Sequence, residues 1–402
     1  MSTQTADVAV IGLGAMGAAA LYQLASRGVR AIGIDRFDPP HDRGSSHGET
    51  RITRQAVGEG DGYAPLVLRS HAIWRDLESM TGKRLLTACG ALVIGPTASA
   101  SSHHGQADFL QATVAVARRH TIAHEVLDRA ELSHRFPLFT GLGSDDAGYY
   151  EPGGGYVDPG ACIAAQLDRA AVLGARVVGN TQVGAIRQHG SVVRIATPQG
   201  DIEAEHAIVA AGAWTAPLLG RPFDGILRVT RQVLHWFEPD DPRPFGADRL
   251  PVFIRMHGAR DSDYFYGFPI PPGTAGVKVA TEQYEHETTA DTIDRAVSPS
   301  EAEQMHAEHL AGRLAWVGNR ALRSVACLYT NTPDAGFIVD AHPRMERVHV
   351  VSACSGHGFK HSAAIGEAVA ERIVTGRTTL DLSNFRLERY LGACGESASL
   401  SP

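Results

Sequence analysis

The stretch DVAVIGLGAMGAAALYQLASRGVRAIGIDRF, residues 7–37, decides the fold. Its first four apolar residues after Asp7 have the unbroken character of a strand buried on both faces of a parallel sheet. Gly12, Gly14 and Gly17 follow in G-x-G-x-x-G register and open a helix expected from Ala15 to Ser26, ended by Gly28. The first glycine serves a tight turn, the second a close approach of backbone to a diphosphate, and the third the packing of helix on strand. A second strand, RAIGID, ends on Asp35, eighteen residues beyond Gly17 and placed to accept from ribose hydroxyls. The helix N-terminus adds unpaired N–H groups and the positive end of its dipole. Together these features specify an adenine dinucleotide, and they fit NAD and FAD equally.

Composition bounds the rest. The chain has 402 residues, too many for one ordinary core, so two domains are expected. With 44% hydrophobic and 20% charged residues it reads as a soluble globular protein. A net charge of −7 argues against a nucleic-acid partner, which needs a basic face. No run approaches the roughly 20 apolar residues of a membrane span. The N-terminal apolar run lacks the basic flank of a signal peptide, and the C-terminal ASLSP is no peroxisomal signal. A reducing cytoplasm is the expected compartment. The five cysteines (Cys89, Cys162, Cys327, Cys354, Cys394) form no C-x-x-C pair and are odd in number, so neither a disulfide framework nor a metal knuckle is expected. No metal is expected at all.

Farther along, a helix is expected from Tyr63 to Thr81, a strand at GALVIG, and a helix around Gln106–Arg119 beyond a small loop, TASASSHHG. AEHAIVAAGAWTAPLL and RVHVVSACSGHGFKHSAAIGE each repeat the strand, glycine loop, helix pattern. Between roughly 225 and 320 the texture changes to alternating, aromatic-bearing strands (QVLHWFEP, YFYGFP, GVKVAT) that read as antiparallel. Two interleaved domains follow from this order. After Asp35 the chain enters a polar loop with Arg43, Arg51 and Arg54, suited to fold over a large cofactor. Cys327 stands alone in SVACLYT; a lone thiol by itself reads as a small core residue.

Four segments carry a resemblance: DRFDPPHDRGSSHGETRITRQAVGEG (35–60), YFYGFP (264–269), SVACLYTNTPDAGFIVD (324–340) and CSGHGFKHSAAIGE (354–367). In this order they resemble the monomeric sarcosine oxidase and N-methyltryptophan oxidase family, flavoenzymes of the D-amino-acid-oxidase-like class. The likeness runs from about residue 6 to 388. It implies an α/β fold in which an FAD-binding Rossmann-like βαβ domain (1–80, 150–222, 320–390) is interleaved with a mixed or antiparallel β-sheet substrate domain (81–149, 223–319). It implies FAD, joined covalently through Cys327, since a nucleophilic thiolate is what such a bond requires. Arg323, four residues earlier, is a candidate to favour that thiolate.

The implied activity is oxidation of the C–N bond of a secondary amino acid by O2, releasing hydrogen peroxide, from a monomer. Lys278 matches the lysine that assists O2, where a fixed cation stabilises developing negative charge. Arg54 and Lys360 match the pair that holds the substrate carboxylate. Arg51 matches an arginine near the flavin, and Tyr266 and Tyr329 match tyrosines of the substrate cavity. Arg36, Ser45, Ser46, Thr50, Val183, Gly356, Gly358 and Phe359 fall at further cofactor positions, while His357 reads as structural. Three positions depart from the family pattern. Glu282 stands where the family has a histidine, Gln55 replaces a histidine, and Val57 replaces a tyrosine. Glu282 is read either as facing a cationic or hydrogen-bond-donating substrate or as an exposed acid. A dehydrogenase passing electrons to an acceptor other than O2 is the alternative activity.

Overall fold

The computed structural model describes residues 4–98, 102–104 and 106–391; Cys394 lies outside them. The chain forms two units, each assembled from separated segments: 1–47, 160–229 and 329–402 in the first, 48–159 and 230–328 in the second. The first unit gives up the chain at His47 rather than near residue 80, so the polar loop with Arg51 and Arg54 belongs to the second.

In the first unit, β1 (Gln4–Ile11) pairs in parallel with β2 (Ala31–Ile34) on one side and β3 (Ile202–Val209) on the other. Strand Arg176–Val178 extends the parallel set beyond β2, and Met345–Ser352 extends it beyond β3. All four residues of β2 are buried, as the apolar run required. The glycine triplet forms the turn into α1 (Ala15–Ser26). Gly12 has φ +86°, and a Cβ there would lie 2.6 Å from the Ala210 carbonyl oxygen. At Gly17 a Cβ would fall 1.8 Å from the Gly12 carbonyl oxygen, so helix and turn close only around glycine.

Helix α1 is buried from Ala15 to Ala25, and its run of alanines lets a second helix approach closely. That partner is α2 (Ser362–Thr375), where a Cβ on Gly366 would stand 2.5 Å from Ala19 Cβ and 2.6 Å from the Ala20 nitrogen.

The second unit holds an eight-stranded sheet in the order Val317–Asn331, Arg228–Pro239, Val277–Ala280, Tyr264–Gly267, Val252–Met256, Ala91–Pro96, Asp146–Glu151, Glu125–Leu127. From Arg228–Pro239 to Glu125–Leu127 the neighbouring strands are antiparallel except that Val252–Met256 runs parallel to Ala91–Pro96. The alternation of side chains sorts the two faces. Phe253, Phe265, Val277 and Val279 enter one core. Ile254 and Tyr264 enter another, and Trp236 and Ala280 pack with Tyr266. Lys278 lies opposite Trp236 in register, and Tyr266 opposite Ala280, so these four share the second face. The expected helices lie at Ala64–Thr81 and Phe109–Arg119; the second starts later than expected because Gln106–Ala107 is a short strand. Among the described residues no helix is long and apolar enough to cross a membrane.

Gly366→Val is expected to lower stability measured by thermal unfolding. Overpacking against α1 costs about 1–3 kcal/mol, more than the gain of less than about 1 kcal/mol in helix propensity.

Candidate active site

The first unit supplies a cradle. Gly14 is the N-cap of α1 and offers no side chain, and the Ala15 N–H donates to Ser46 Oγ at 3.3 Å. Asp35 is buried with its carboxylate turned back on the loop. Its Oδ2 accepts from the Leu13 N–H at 2.7 Å, and Oδ1 accepts from the Phe37 N–H at 2.8 Å and meets His41 Nε2 at 3.2 Å. A carboxylate has about four acceptor positions, so Asp35 both shapes the glycine loop and retains capacity for a hydroxyl. Arg36 lies over the Phe37 and Trp214 rings at 5.5 and 5.6 Å. Ser45 is half-buried beside Ser46. Val183 packs, partly buried, against the core of this unit.

The 354–361 loop is also part of the first unit. Gly358 is obligatory there, because a Cβ would lie 1.8 Å from the Ala353 carbonyl oxygen, and Gly356 has φ +81°. His357 stacks on Phe337 at 4.7 Å, with Nε2 at 2.9 Å from the Ala335 carbonyl oxygen. Lys360 is buried and donates to the His357 carbonyl at 2.8 Å. Phe359 is half-buried and Tyr329 is 7% exposed.

The second unit holds a buried cation. Lys278 is 2% exposed, and its Nζ donates to the Gly48 carbonyl (2.6 Å), the Thr50 carbonyl (2.7 Å) and Thr50 Oγ1 (3.2 Å). Phe268 and Trp236 present ring faces to it at 4.4 and 5.5 Å. Burial, and then the Arg51 guanidinium, pull its pKa well below the ordinary lysine value, while the three oxygen acceptors favour the charged form. Thr50 is thus a partner of Lys278. Arg51, the next residue, reaches Cys327: Nη2 lies 4.0 Å from Sγ, and Nη1 donates to the Thr50 carbonyl at 2.9 Å. The cation beside the thiol is therefore Arg51. Arg323 is turned elsewhere, paired with Glu49 at 2.5 Å and lying over the Trp236 ring at 3.9 Å. Sequence separation pointed to the wrong arginine because both residues lie in one extended strand, where four residues span roughly 13 Å.

Arg54 is buried with Glu59. Its Nη2 donates to both Glu59 oxygens at 2.7 and 2.6 Å, and Nη1 donates to the Ala56 carbonyl at 2.9 Å. His104 bridges from the same carboxylate to another, with Nδ1 at 3.2 Å from Glu59 Oε1 and Nε2 at 2.6 Å from Glu282 Oε2. Tyr264 and Tyr284 donate their hydroxyls to Glu282 at 2.6 and 2.9 Å.

Glu282 is therefore no exposed acid, being 6% exposed, and the cation it faces belongs to the chain itself. Burial alone would raise its pKa, but His104 outweighs this and holds it well below the carboxylate range. Conversely, burial would lower His104, yet Glu282 and Glu59 raise it to about 9. His103, with ring centroids 3.9 Å from those of His104, is pushed well below the usual value by burial and by its neighbour. Glu59, His103 and His104 bring possible ligand atoms within 4.8 Å of one another. Both His104 nitrogens already meet carboxylates and Glu59 already holds a guanidinium, so the cluster reads as two cations balanced against two anions.

Glu59 and His104 escaped the sequence reading. Glu59 lies in the GEG that ends the polar loop, and His104 in a serine-rich stretch that read as a plain loop. The two adjacent histidines were the available signal. Glu151 was also missed: it is buried and accepts from the Gln55 and Ala56 N–H groups at 2.5 and 3.0 Å and from the Tyr149 hydroxyl at 2.7 Å. Tyr266 packs edge-on to Phe268 at 6.1 Å.

The side-chain-free turn at Gly12, Gly14 and Gly17 and the N-terminus of α1, whose N-cap glycine brings no side chain, fit the diphosphate of FAD. Comparison with known proteins agrees. The chain is 36% identical over 389 residues to monomeric sarcosine oxidase from Bacillus sp. (strain B-0618), spanning 95% of this chain and 96% of that one. It is 34% identical over 389 residues to N-methyl-L-tryptophan oxidase from Yersinia pestis (strain Pestoides F), spanning 96% and 99%. Its fold is shared with NikD, an unusual amino acid oxidase essential for nikkomycin biosynthesis, at a TM-score of 0.81 and 24% identity over 96% of this chain and 98% of that one. Residues 7–372 match the DAO family of FAD dependent oxidoreductases, and the chain belongs to that family.

Proposed function

We propose that this protein oxidises the C–N bond of an N-methyl or otherwise N-substituted amino acid with O2 and water, giving an aldehyde, a primary amine and H2O2. The observation that carries this reading is that, within the second unit, Lys278 and Arg51 both hold the turn at residues 48–50 and Arg51 also reaches the Cys327 sulfur. When bound, FAD would supply the acceptor for the hydride of the carbon beside nitrogen and the route for its electrons to O2.

The chain's own residues do the rest. Arg54 offers a planar fork that suits a carboxylate, and one arm of it, Nη2, already holds Glu59. Lys360 is the second cation assigned to the substrate carboxylate. Lys278 is kept from water and from movement by three oxygen acceptors, a preorganised charge for a step in which O2 becomes anionic. Arg51 stabilises the anionic form of the Cys327 sulfur, which is the form able to attach a flavin. Tyr266 and Tyr329 are each assigned a substrate-facing role in this reading. A soluble cytoplasmic monomer is the state that goes with it.

Peroxide release across sarcosine, N-methyl aromatic amino acids, cyclic imino acids and basic N-substituted amino acids tests the reaction and sorts its substrates. Loss of the amine without peroxide would assign the electrons to another acceptor. Flavin colour is expected to stay with acid-precipitated wild-type protein and to pass into the supernatant from Cys327→Ser; colour lost from both would rule out attachment at this sulfur. Arg54→Lys keeps the charge opposite Glu59 but loses the fork. KM for the amino acid is expected to rise about tenfold or more, with the fold retained by circular dichroism.

A further inference from the structure

Arg54 carries a carboxylate before any substrate arrives. Both Glu59 oxygens sit on its Nη2, in a pocket where Arg54 and Glu59 are each nearly closed to water. Nη1 is taken by the Ala56 carbonyl, so a substrate carboxylate can take Nη2 only if Glu59 lets go, and a buried carboxylate stripped of its cation is costly. His104 is the group placed to relieve that cost. Its Nδ1 lies 3.2 Å from the same Glu59 oxygen that Arg54 holds, and Glu282 secures its other nitrogen at 2.6 Å.

We propose that His104 is a positioning residue that takes over Glu59 when Arg54 turns to the substrate carboxylate, so that the cation on His104 sets how tightly the amino acid binds. This rests on the reading of Arg54 as the carboxylate fork. The groups facing His104 are Glu59 beside the polar loop, Glu282 with the Tyr264 and Tyr284 hydroxyls, the neighbouring His103, and Arg54 behind Glu59. His103 stands edge-on between Phe109 and Tyr264, with centroids at 4.5 and 4.3 Å, and burial and His104 keep it neutral, so it cannot supply the charge. With two anions against Arg54 and one imidazolium the cluster is balanced. Neutral His104 leaves Glu59 with Arg54 alone, and the fork is then held closed. The bridge also gives Glu282 its purpose: it fixes the ring so that Nδ1 points at Glu59.

The sign with pH follows. Protonated His104 is present below about 9 and is lost above it. Carboxylate affinity is therefore full at pH 7 and falls as pH passes that value, the same direction as for an ordinary free histidine but in a higher pH window.

The test is calorimetric titration of the FAD-loaded enzyme with nitrogen-free carboxylates, methoxyacetate and 2-methoxy-3-phenylpropanoate, whose charge does not change between pH 7 and 10. Wild type is expected to bind about tenfold more weakly at pH 10 than at pH 7. His104→Gln is expected to bind about that weakly at both. Glu59→Gln needs no cation, so it should bind at least as well as wild type, independently of pH, and adding His104→Gln should change nothing further. Should His104→Gln not fold, His104→Gln/Glu282→Gln removes the carboxylate left without its cation and is read in its place.

Equal wild-type affinity at the two pH values, with His104→Gln binding as wild type does, overturns the handover and leaves the Arg54 fork standing. Additive effects of the Glu59 and His104 substitutions also overturn it. Absence of binding of either carboxylate to wild type overturns the fork and the handover together.

Discussion

The second unit depends on an ammonium group with no water to solvate it. Lys278 points from the middle of a sheet strand into a space where three oxygens of residues 48–50 take its three donors. Burying a charge is tolerable only with such complete compensation. The compensation fixes the turn as firmly as the turn fixes the lysine. Arg51 follows directly and lies against the Cys327 sulfur; Arg54 follows three residues later. Where the cationic side chains of this loop stand is therefore decided from the sheet.

The same stretch pins the loop a second time. Lys278 and Ala280 share a face of their strand, and Glu282 follows two residues beyond its end. Glu282 holds His104, His104 meets Glu59, and Glu59 holds Arg54. Between these two anchors Glu151 accepts the Gln55 and Ala56 N–H groups. A segment rich in glycine and polar residues, with little apolar surface of its own, is thus ordered by buried charges. The charges are also what the proposed chemistry uses. A loop held by hydrophobic contacts would be as rigid but would present no fork to a carboxylate and no cation to O2.

The nucleotide-binding half was legible because its constraints are local. Gly12 and Gly17 answer clashes within one turn and with the neighbouring strand end, and β1, α1 and β2 lie where the glycine spacing put them. The motif resemblance reached Lys278, Arg54, Arg51 and Cys327. What the sequence hid is the pairing of charges distant along the chain. Glu282 and His104 are 178 residues apart, and Glu151 meets Ala56 across 95. No period or spacing reports such a contact. Arg323 shows the opposite error: it is near Cys327 in sequence, yet it turns to Glu49 and Trp236. The unit boundary near 48 was missed for a related reason, since the loop leaves the dinucleotide fold to join a sheet whose strands come later.

The most direct measurement is the rate at which O2 reoxidises the substrate-reduced enzyme in wild type and in Lys278→Met, followed by stopped-flow absorbance alongside the anaerobic rate of reduction. A fixed cation at 278 predicts that reoxidation slows about a hundredfold or more while reduction by the amino acid changes little. Reoxidation at the wild-type rate in Lys278→Met would contradict the account, because the buried ammonium would then serve the turn alone.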